Sequence, residues 1–230
     1  MNDIKVSRHI VAFIDILGSS KAIKEDSQKS LKVMHSAYEN ALKGFNNIFD
    51  NKNIKPTVKI FSDNIAVSVP CLDGLEKPCF LAVAMMSAVI QVEFLKEKYL
   101  TRGGIAMGDY FCDDVMVWGN ALVKAYELES KIAFYPRVII EPDFIAKLKL
   151  ATEAGNTHCK EWIKQDKDSF FYIDYLNNCL QNAWMLCLGM LETSDKEVGK
   201  ALNDVKVCQK WLWLKCYLAE KLPDVLDGRI

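Results

Sequence analysis

Asp15 and Asp63 are the residues of this sequence whose setting best suits chemistry. Asp15 ends a dense apolar run, residues 9–16, just before the turn Leu17-Gly18-Ser19-Ser20. Asp63 lies between two short β-rich runs, residues 57–61 and 65–69, separated only by Ser62-Asp63-Asn64. Two convergent carboxylates beside a helix N-terminus suit a divalent metal plus phosphates. The carboxylates hold the cations, and backbone N–H groups of Ile16 to Ser20, those of Leu17, Gly18 and Ser19 included, face phosphate oxygens. Two such ions can polarise an attacking hydroxyl and stabilise a leaving pyrophosphate. The same aspartates also suit simpler roles, Asp15 as a helix cap and Asp63 as a turn former, and spacing alone leaves both readings open.

The elements that must position them follow from periodicity. Residues 9–16 are apolar and β-branched, as in a strand buried on both faces. The Gly/Ser turn can cap a helix that starts near Lys21, and apolar residues at helical spacing carry that one long helix to about Phe49. Residues 46–55, rich in Asn and Asp, end it. The runs around Asp63 read as a hairpin with an acidic tip. In a βαββ unit the first strand and that hairpin are neighbours, so the two carboxylates can meet across a long helix. Residues 70–78 read as loop, 79–99 as a mostly buried helix, and 101–111 as a strand with 115–118 as its hairpin partner. Then come a short helix over 120–131, a strand over 137–140 and a helix over 143–150. Beyond Ala151, residues 170–175 suit a last edge strand, and 180–191 and 204–222 two helices. Trp211, Trp213 and Leu214 crowd the second, which points to packing on the body of the protein. The pattern predicts an α+β fold of one domain over residues 1–230. Its catalytic core spans about 8–150, and 151–230 supply an edge strand and C-terminal helices.

Composition sets outer limits. The 230 residues are 50% hydrophobic and 26% charged, a globular balance that excludes disorder and collagen-like repeats. A net charge of −1 gives no support to a broad nucleic-acid-binding face. The eight cysteines form no C-x-x-C pair, so zinc cages and disulfide scaffolds give way to reduced thiols acting as small core residues. His9, His35 and His158 are scattered and read as structural or surface residues. Residues 1–5 lack the apolar core of a signal peptide, and the uncharged stretch 79–92 falls short of the roughly 20 residues that span a bilayer. The expected location is the cytoplasm.

Four motifs, in order, resemble one family. Phe13-Ile14-Asp15-Ile16-Leu17-Gly18 resembles the first metal-binding motif of the class III nucleotide cyclases. Lys59-Ile60-Phe61-Ser62-Asp63 is similar to their Lys-x-x-Gly-Asp hairpin, with Ser62 for glycine. Arg102-Gly103-Gly104-Ile105-Ala106-Met107-Gly108 resembles the following strand, and Val117-Trp118-Gly119-Asn120-Ala121 the start of the next helix. Residues 118–129 further resemble the compact pyrimidine cyclases of bacterial antiphage (Pycsar) defence. Three positions depart from the family pattern. Met116 stands where a carboxylate helps the lysine read adenine, and Val123 and Glu127 stand where an asparagine and an arginine steady the transition state.

The resemblance implies a βαββαβ, palm-type antiparallel sheet covered by helices, with a helical C-terminal part. It implies conversion of UTP, or less often CTP, to a 3′,5′-cyclic nucleotide and pyrophosphate with two Mn²⁺ or Mg²⁺ ions per site. It also implies a homodimer with active sites at the interface, and a separate effector that binds the product. Asp15 and Asp63 would hold both metals with the Ile16 carbonyl. Lys59 would face base or phosphate, or else be an exposed strand lysine. Phe61 would stack on the base or simply pack. Arg102 would reach the triphosphate or base across the dimer, or form a structural ion pair. Asp113 and Asp114 offer a substitute carboxylate or a solvated turn, and Glu127 and Glu129 read as a solvated helix face. Two other readings stay open: an adenylate or guanylate cyclase with unusual base contacts, and a catalytically silent cyclase-homology module that binds nucleotide or a partner.

Overall fold

The computed structural model describes residues 4–49, 53–152, 158–176 and 183–226. The apolar run near the N-terminus forms β1 (Ser7–Leu17), the central strand, paired antiparallel with β3 on one side and β4 on the other. Alternation along β1 divides its side chains between two faces. Ile10, Ala12, Ile14 and Ile16 enter the main core, whereas Val11 and Phe13, and with them Asp15, belong to the opposite face.

After β1 come two helices where periodicity predicted one: α1 (Ser19–Glu25) and α2 (Ser27–Ile48). Asp26 divides them, its backbone extended and its side chain accepting a hydrogen bond from Lys29 N at 2.9 Å as the cap of α2. Next is the hairpin β2 (Thr57–Phe61) and β3 (Asn64–Pro70), with Ser62 and Asp63 as its two-residue turn. Ser62 takes φ 61°, the left-handed region in which glycine is free of strain.

The helix α3 (Glu76–Lys96) starts earlier than expected, so Pro78 sits in its first turn. Its 21 residues are long and apolar enough to cross a membrane, which corrects the expectation drawn from the shorter uncharged stretch. Its length therefore decides nothing; burial does, because 83% of its apolar window lies inside the protein, packed on α2 and on the main-core face of the sheet.

The strand β4 (Leu100–Cys112) turns into β5 (Val117–Trp118), followed by α4 (Asn120–Lys131), which covers the opposite face of β1 and β4. The glycines of β4 permit this close seat. A Cβ on Gly104 would stand 2.4 Å from the Ala125 carbonyl oxygen, and one on Gly108 would stand 2.2 Å from Asn120 Oδ1. Then follow β6 (Val138–Ile140), α5 (Pro142–Thr152), α6 (His158–Glu161), β7 (Ile163–Gln165) and β8 (Phe171–Ile173).

The strand order is β2-β3-β1-β4-β6-β8-β7, with β5 paired to β4 beside that path. Two expectations are corrected here. The sheet is mixed, because β6 runs parallel to β4, and the edge is β7, so β8 lies inside it. The last described elements are the packed pair α7 (Ala183–Lys200) and α8 (Val205–Leu226). Of the helix expected over 180–191, residues 180–182 lie outside the described residues, as does Cys179. The described cysteines are free thiols, and Cys71, Cys79, Cys159 and Cys187 are buried.

α8 is fastened to the sheet by two polar anchors and a row of rings. Tyr217 Oη donates to Asp174 Oδ1 at 2.6 Å and accepts from Leu176 N at 2.9 Å, and Lys221 pairs with the same aspartate. Trp213 Nε1 donates to Asp166 Oδ2 at 2.7 Å, and its ring stacks between Tyr135 and Tyr217.

Candidate functional site

Backbone pairing sets Asp63 beside Asp15. Asp15 lies opposite Asn64 in the β1–β3 ladder, and Ile16 N donates to the Asp63 carbonyl at 3.2 Å. The two carboxylate-bearing residues, 48 positions apart in sequence, are thus one step apart across neighbouring strands. Leu17 and Gly18 lead from there into α1, with Gly18 at φ 81° as its N-cap. No side chain caps α1. Ser19, almost wholly buried, instead gives its hydroxyl to Asp63 Oδ2, and Asn64 Nδ2 donates to Oδ1 at 3.2 Å.

Asp15 has a different partner. Arg102, opposite it in the β1–β4 ladder, donates from Nε to Asp15 Oδ2 at 3.2 Å and lays Nη2 2.7 Å from Glu129 Oε1. One guanidinium therefore bridges a carboxylate that is 20% exposed and one that is 4% exposed. The second contact is electrostatic, since Glu129 Oε1 receives no directed hydrogen bond. Burial pushes the Glu129 carboxyl above the ordinary glutamate range, against the pull of Arg102. This corrects the expectation of a solvated helix face. Glu129 lies on the buried stripe of α4 with Ala121, Ala125 and Leu128, at helical spacing. Glu127 does face solvent, paired with Lys131 at 2.6 Å, and Val123 is 56% exposed.

A second group that motif reading missed comes from the far end of the chain. Lys210 of α8 is half-buried, with Nζ 5.6 Å from the centroid of the Phe134 ring. Burial and the like charge of Arg102 depress its pKa, while Asp15 and Asp204 oppose them. Nothing local flags this lysine; only the docking of α8 brings it here.

The other expected residues gather around β2 and the β4–β5 turn. Lys59 pairs with Asp114 at 3.6 Å, so a carboxylate does stand beside this lysine although Met116 replaces the expected one. Asp113 Oδ1 accepts from Val115 N and Met116 N, both at 2.8 Å, and these bonds hold its carboxyl below the usual range. Phe61 is 40% exposed and lies tilted against Phe13, which meets Tyr126 edge to face in turn. Around them Ile60, Val115, Met116, Trp118, Val123 and Tyr126 are all exposed, an unusually apolar surface.

Among the described residues no three His, Cys, Asp or Glu side chains cluster as a metal cage. Asp15, Asp63 and the Ile16 carbonyl would offer hard oxygens, the donor type that suits cations which take one or two carboxylates and complete their shell with substrate phosphate.

No family model matches the sequence, and no curated protein matches it. Among solved structures, the adenylyl cyclase CyaB from P. aeruginosa matches with TM-score 0.52 and 16% identity, covering 74% of this chain and 94% of that one. A bacterial light-regulated adenylyl cyclase matches with TM-score 0.47 and 13% identity, over 93% of this chain and 58% of that one. A class III adenylyl cyclase-like ATP-binding protein from Pseudomonas aeruginosa follows at TM-score 0.44 and 8% identity, over 62% and 35%. The first match carries the fold assignment: a class III cyclase-like α+β fold.

Proposed function

We propose that this chain is a pyrimidine nucleotide cyclase that converts UTP to 3′,5′-cyclic UMP and pyrophosphate, the product serving as a second messenger in antiphage defence. The observation that carries the reading is the backbone adjacency of Asp15 and Asp63 at the end of β1, in a cyclase-like fold. In the reaction the ribose 3′-oxygen bonds to the α-phosphorus, the bond to the β-phosphate oxygen breaks, and the hydroxyl proton leaves to solvent. Asp15, Asp63 and the Ile16 carbonyl would hold Mn²⁺ or Mg²⁺, two ions per site. Bound there, the cations lower the pKa of the 3′-hydroxyl and offset phosphate charge.

The chain's own residues do the rest. Backbone N–H groups of Leu17, Gly18 and Ser19 orient phosphate oxygens. Arg102 turns from Asp15 to the triphosphate while Glu129 keeps its other side in place. Phe61 and the Lys59–Asp114 pair offer a ring face, a donor and an acceptor for a base. The exposed apolar residues around Phe61 support a homodimer with its sites at the interface. A separate effector would bind the product, and we place the enzyme in the cytoplasm as one domain over residues 1–230.

Two observations favour a second reading, a catalytically silent nucleotide-binding module. Arg102 neutralises Asp15, and α4 presents Val123 and Glu127 where the resemblance expects transition-state groups. A single assay separates the two: incubation with Mn²⁺ and each of the four ribonucleoside triphosphates, with chromatography of the products. Cyclic UMP is the expected product. Cyclic CMP would move the assignment to a cytidylate cyclase, and cyclic AMP or GMP to a purine cyclase. No turnover of any triphosphate leaves the silent module. Asp63→Ala should abolish turnover while the unfolding temperature changes little, and an active variant would mean that Asp63 holds no metal.

A further inference from the structure

We infer that the cleft between α8 and the β7–β8 hairpin is a second ligand site, one that takes an uncharged planar heterocycle of the nucleobase type. It is built on other elements than Asp15 and Asp63 and does not depend on how those residues are read. The cleft holds about 680 Å³, within the roughly 300–1,000 Å³ of small-molecule sites. Tyr135, Tyr172, Trp213 and Tyr217 line it with rings. Tyr135 and Trp213, both half-buried, run nearly parallel, at 13° with centroids 6.1 Å apart. The rings on α8 and β8 are fixed. Trp213 Nε1 donates to Asp166 and Tyr217 Oη to Asp174, and Tyr172 meets both of them edge to face. Fixed ring faces in a cleft of this size give a flat ligand a surface to stack on.

Charge decides between ligand classes. The carboxylates that line the cleft are already paired, Asp166 and Asp168 with Arg137 and Glu220 with Lys164. Lys167, exposed on the rim, repels a cation. The rings, too, have their cation: the Arg137 guanidinium carbon lies 5.4, 5.7 and 6.0 Å from the centroids of Tyr135, Tyr172 and Trp213. Stacking of a neutral ring is what remains. Arg137 also leaves one donor over. Its terminal nitrogens go to Asp166 and Asp168, whereas Nε, buried, has no hydrogen-bond partner among the described residues. Buried donors are nearly always paired, so this one needs a cause. A ring carbonyl or ring nitrogen seated against Tyr135 and Trp213 would supply the acceptor. The Gln209 amide, exposed on α8 at the cleft, offers a donor and an acceptor to another edge of the same ring. Stacking combined with edge hydrogen bonds is how proteins hold an unpaired base.

The test is alkylation of Cys216, which lines the cleft and is exposed, with Cys208 on the same helix, outside the cleft, as internal control. The full chain is treated with N-ethylmaleimide, and labelling of each cysteine is followed by peptide mass spectrometry over a concentration series of adenosine, uridine or phenyltrimethylammonium. A nucleoside in the cleft should slow Cys216 labelling about tenfold at ten times its Kd and leave Cys208 unchanged. Tyr135→Leu, which removes one ring face, should lose the protection, and Tyr135→Phe should keep it. Asp63→Ala should be protected like wild type. No protection by either nucleoside overturns the inference, as does equal slowing at Cys208 or full protection in Tyr135→Leu. Protection by phenyltrimethylammonium alone also overturns it, by making the cleft a cation site. Loss of protection in Asp63→Ala overturns it as well, by showing that the nucleoside acts from the Asp15/Asp63 site, and leaves the reading of that site standing.

Discussion

Arg102 and Arg137 stand at the ends of neighbouring strands, joined by a hydrogen bond from Gly103 N to the Arg137 carbonyl at 3.1 Å, and each is held by two carboxylates. Their surroundings differ. Arg137 has no exposed surface: it pairs with Asp166 and Asp168 and lies within 6.0 Å of the ring centroids of Tyr135, Tyr172 and Trp213. Arg102 is 24% exposed, has no aromatic box among the described contacts, and pairs with Asp15, one of the two carboxylates of the proposed metal site. The same chemistry thus serves two ends. Arg137 ties α8, through Asp166 and Trp213, to the sheet. Arg102 instead bridges a half-buried carboxylate and a buried one where solvent still reaches its guanidinium.

The contrast breaks most visibly at Arg137. Arg137→Met leaves two carboxylates facing a ring cluster without their cation, and removal of one partner from a buried pair costs about 3 kcal/mol or more. For a chain of this size that lowers the unfolding temperature by roughly 10 °C. A thermal melt within a degree or two of wild type would show that the boxed arginine is not what fastens α8.

Gly104→Ala tests how far the Arg102 cluster depends on the seat of α4. The new Cβ would stand 2.4 Å from the Ala125 carbonyl oxygen and 2.5 Å from Leu128 Cβ, so α4 must move and carry Glu129 with it. Overpacking of this kind costs about 1–3 kcal/mol, less than the loss at Arg137, and should also loosen the grip on Arg102. An unchanged melt would mean that α4 shifts freely, and that Glu129 is not rigidly placed.

These two clusters were not equally legible beforehand. The strand with Asp15, the hairpin with Asp63 and the bounds of α4 follow from local signals: a β-branched run, a short polar turn and a helical repeat. What escaped depends on contacts remote in sequence. The break at Asp26 hides inside an unbroken apolar repeat, visible only as an aspartate three residues before the N–H it caps. The strand β7, Ile163–Gln165, has no strand pattern and exists because β8 pairs with it. Glu129 sits on a stripe whose alanines disguise its burial, although counting back from Leu128 to Ala125 and Ala121 reveals it. Lys210 gives no sign at all, since only the anchors at Asp166 and Asp174 set where α8 lies.

The finest distinction between the clusters is in their response to pH. Burial pushes the Asp168 carboxyl up, but the hydrogen bond and charge of Arg137 outweigh it and hold the pKa below the ordinary 3.8. A depressed carboxyl contributes stability that is present above its unfolded pKa and lost as pH falls through the folded one. Asp168→Asn lacks that contribution, so its deficit against wild type should be full at neutral pH and shrink as pH drops below about 4. Glu129 has the opposite sign, because burial, its largest influence, outweighs Arg102 and lifts the carboxyl above the ordinary 4.5. Its proton is bound more tightly in the folded state, so that stability is fully present below the unfolded pKa and fades as pH rises through the folded value. Glu129→Gln, whose side chain resembles the protonated carboxyl, should therefore match wild type most closely at acid pH and become the more stable of the two as pH rises towards neutrality. Urea melts at a series of pH values, plotted as the difference from wild type, test both. Parallel slopes would mean that the two arginine–carboxylate clusters are electrostatically alike. Opposite slopes would assign Arg137 to holding ionised carboxylates in place, and Arg102 to tempering a carboxylate that burial alone would neutralise.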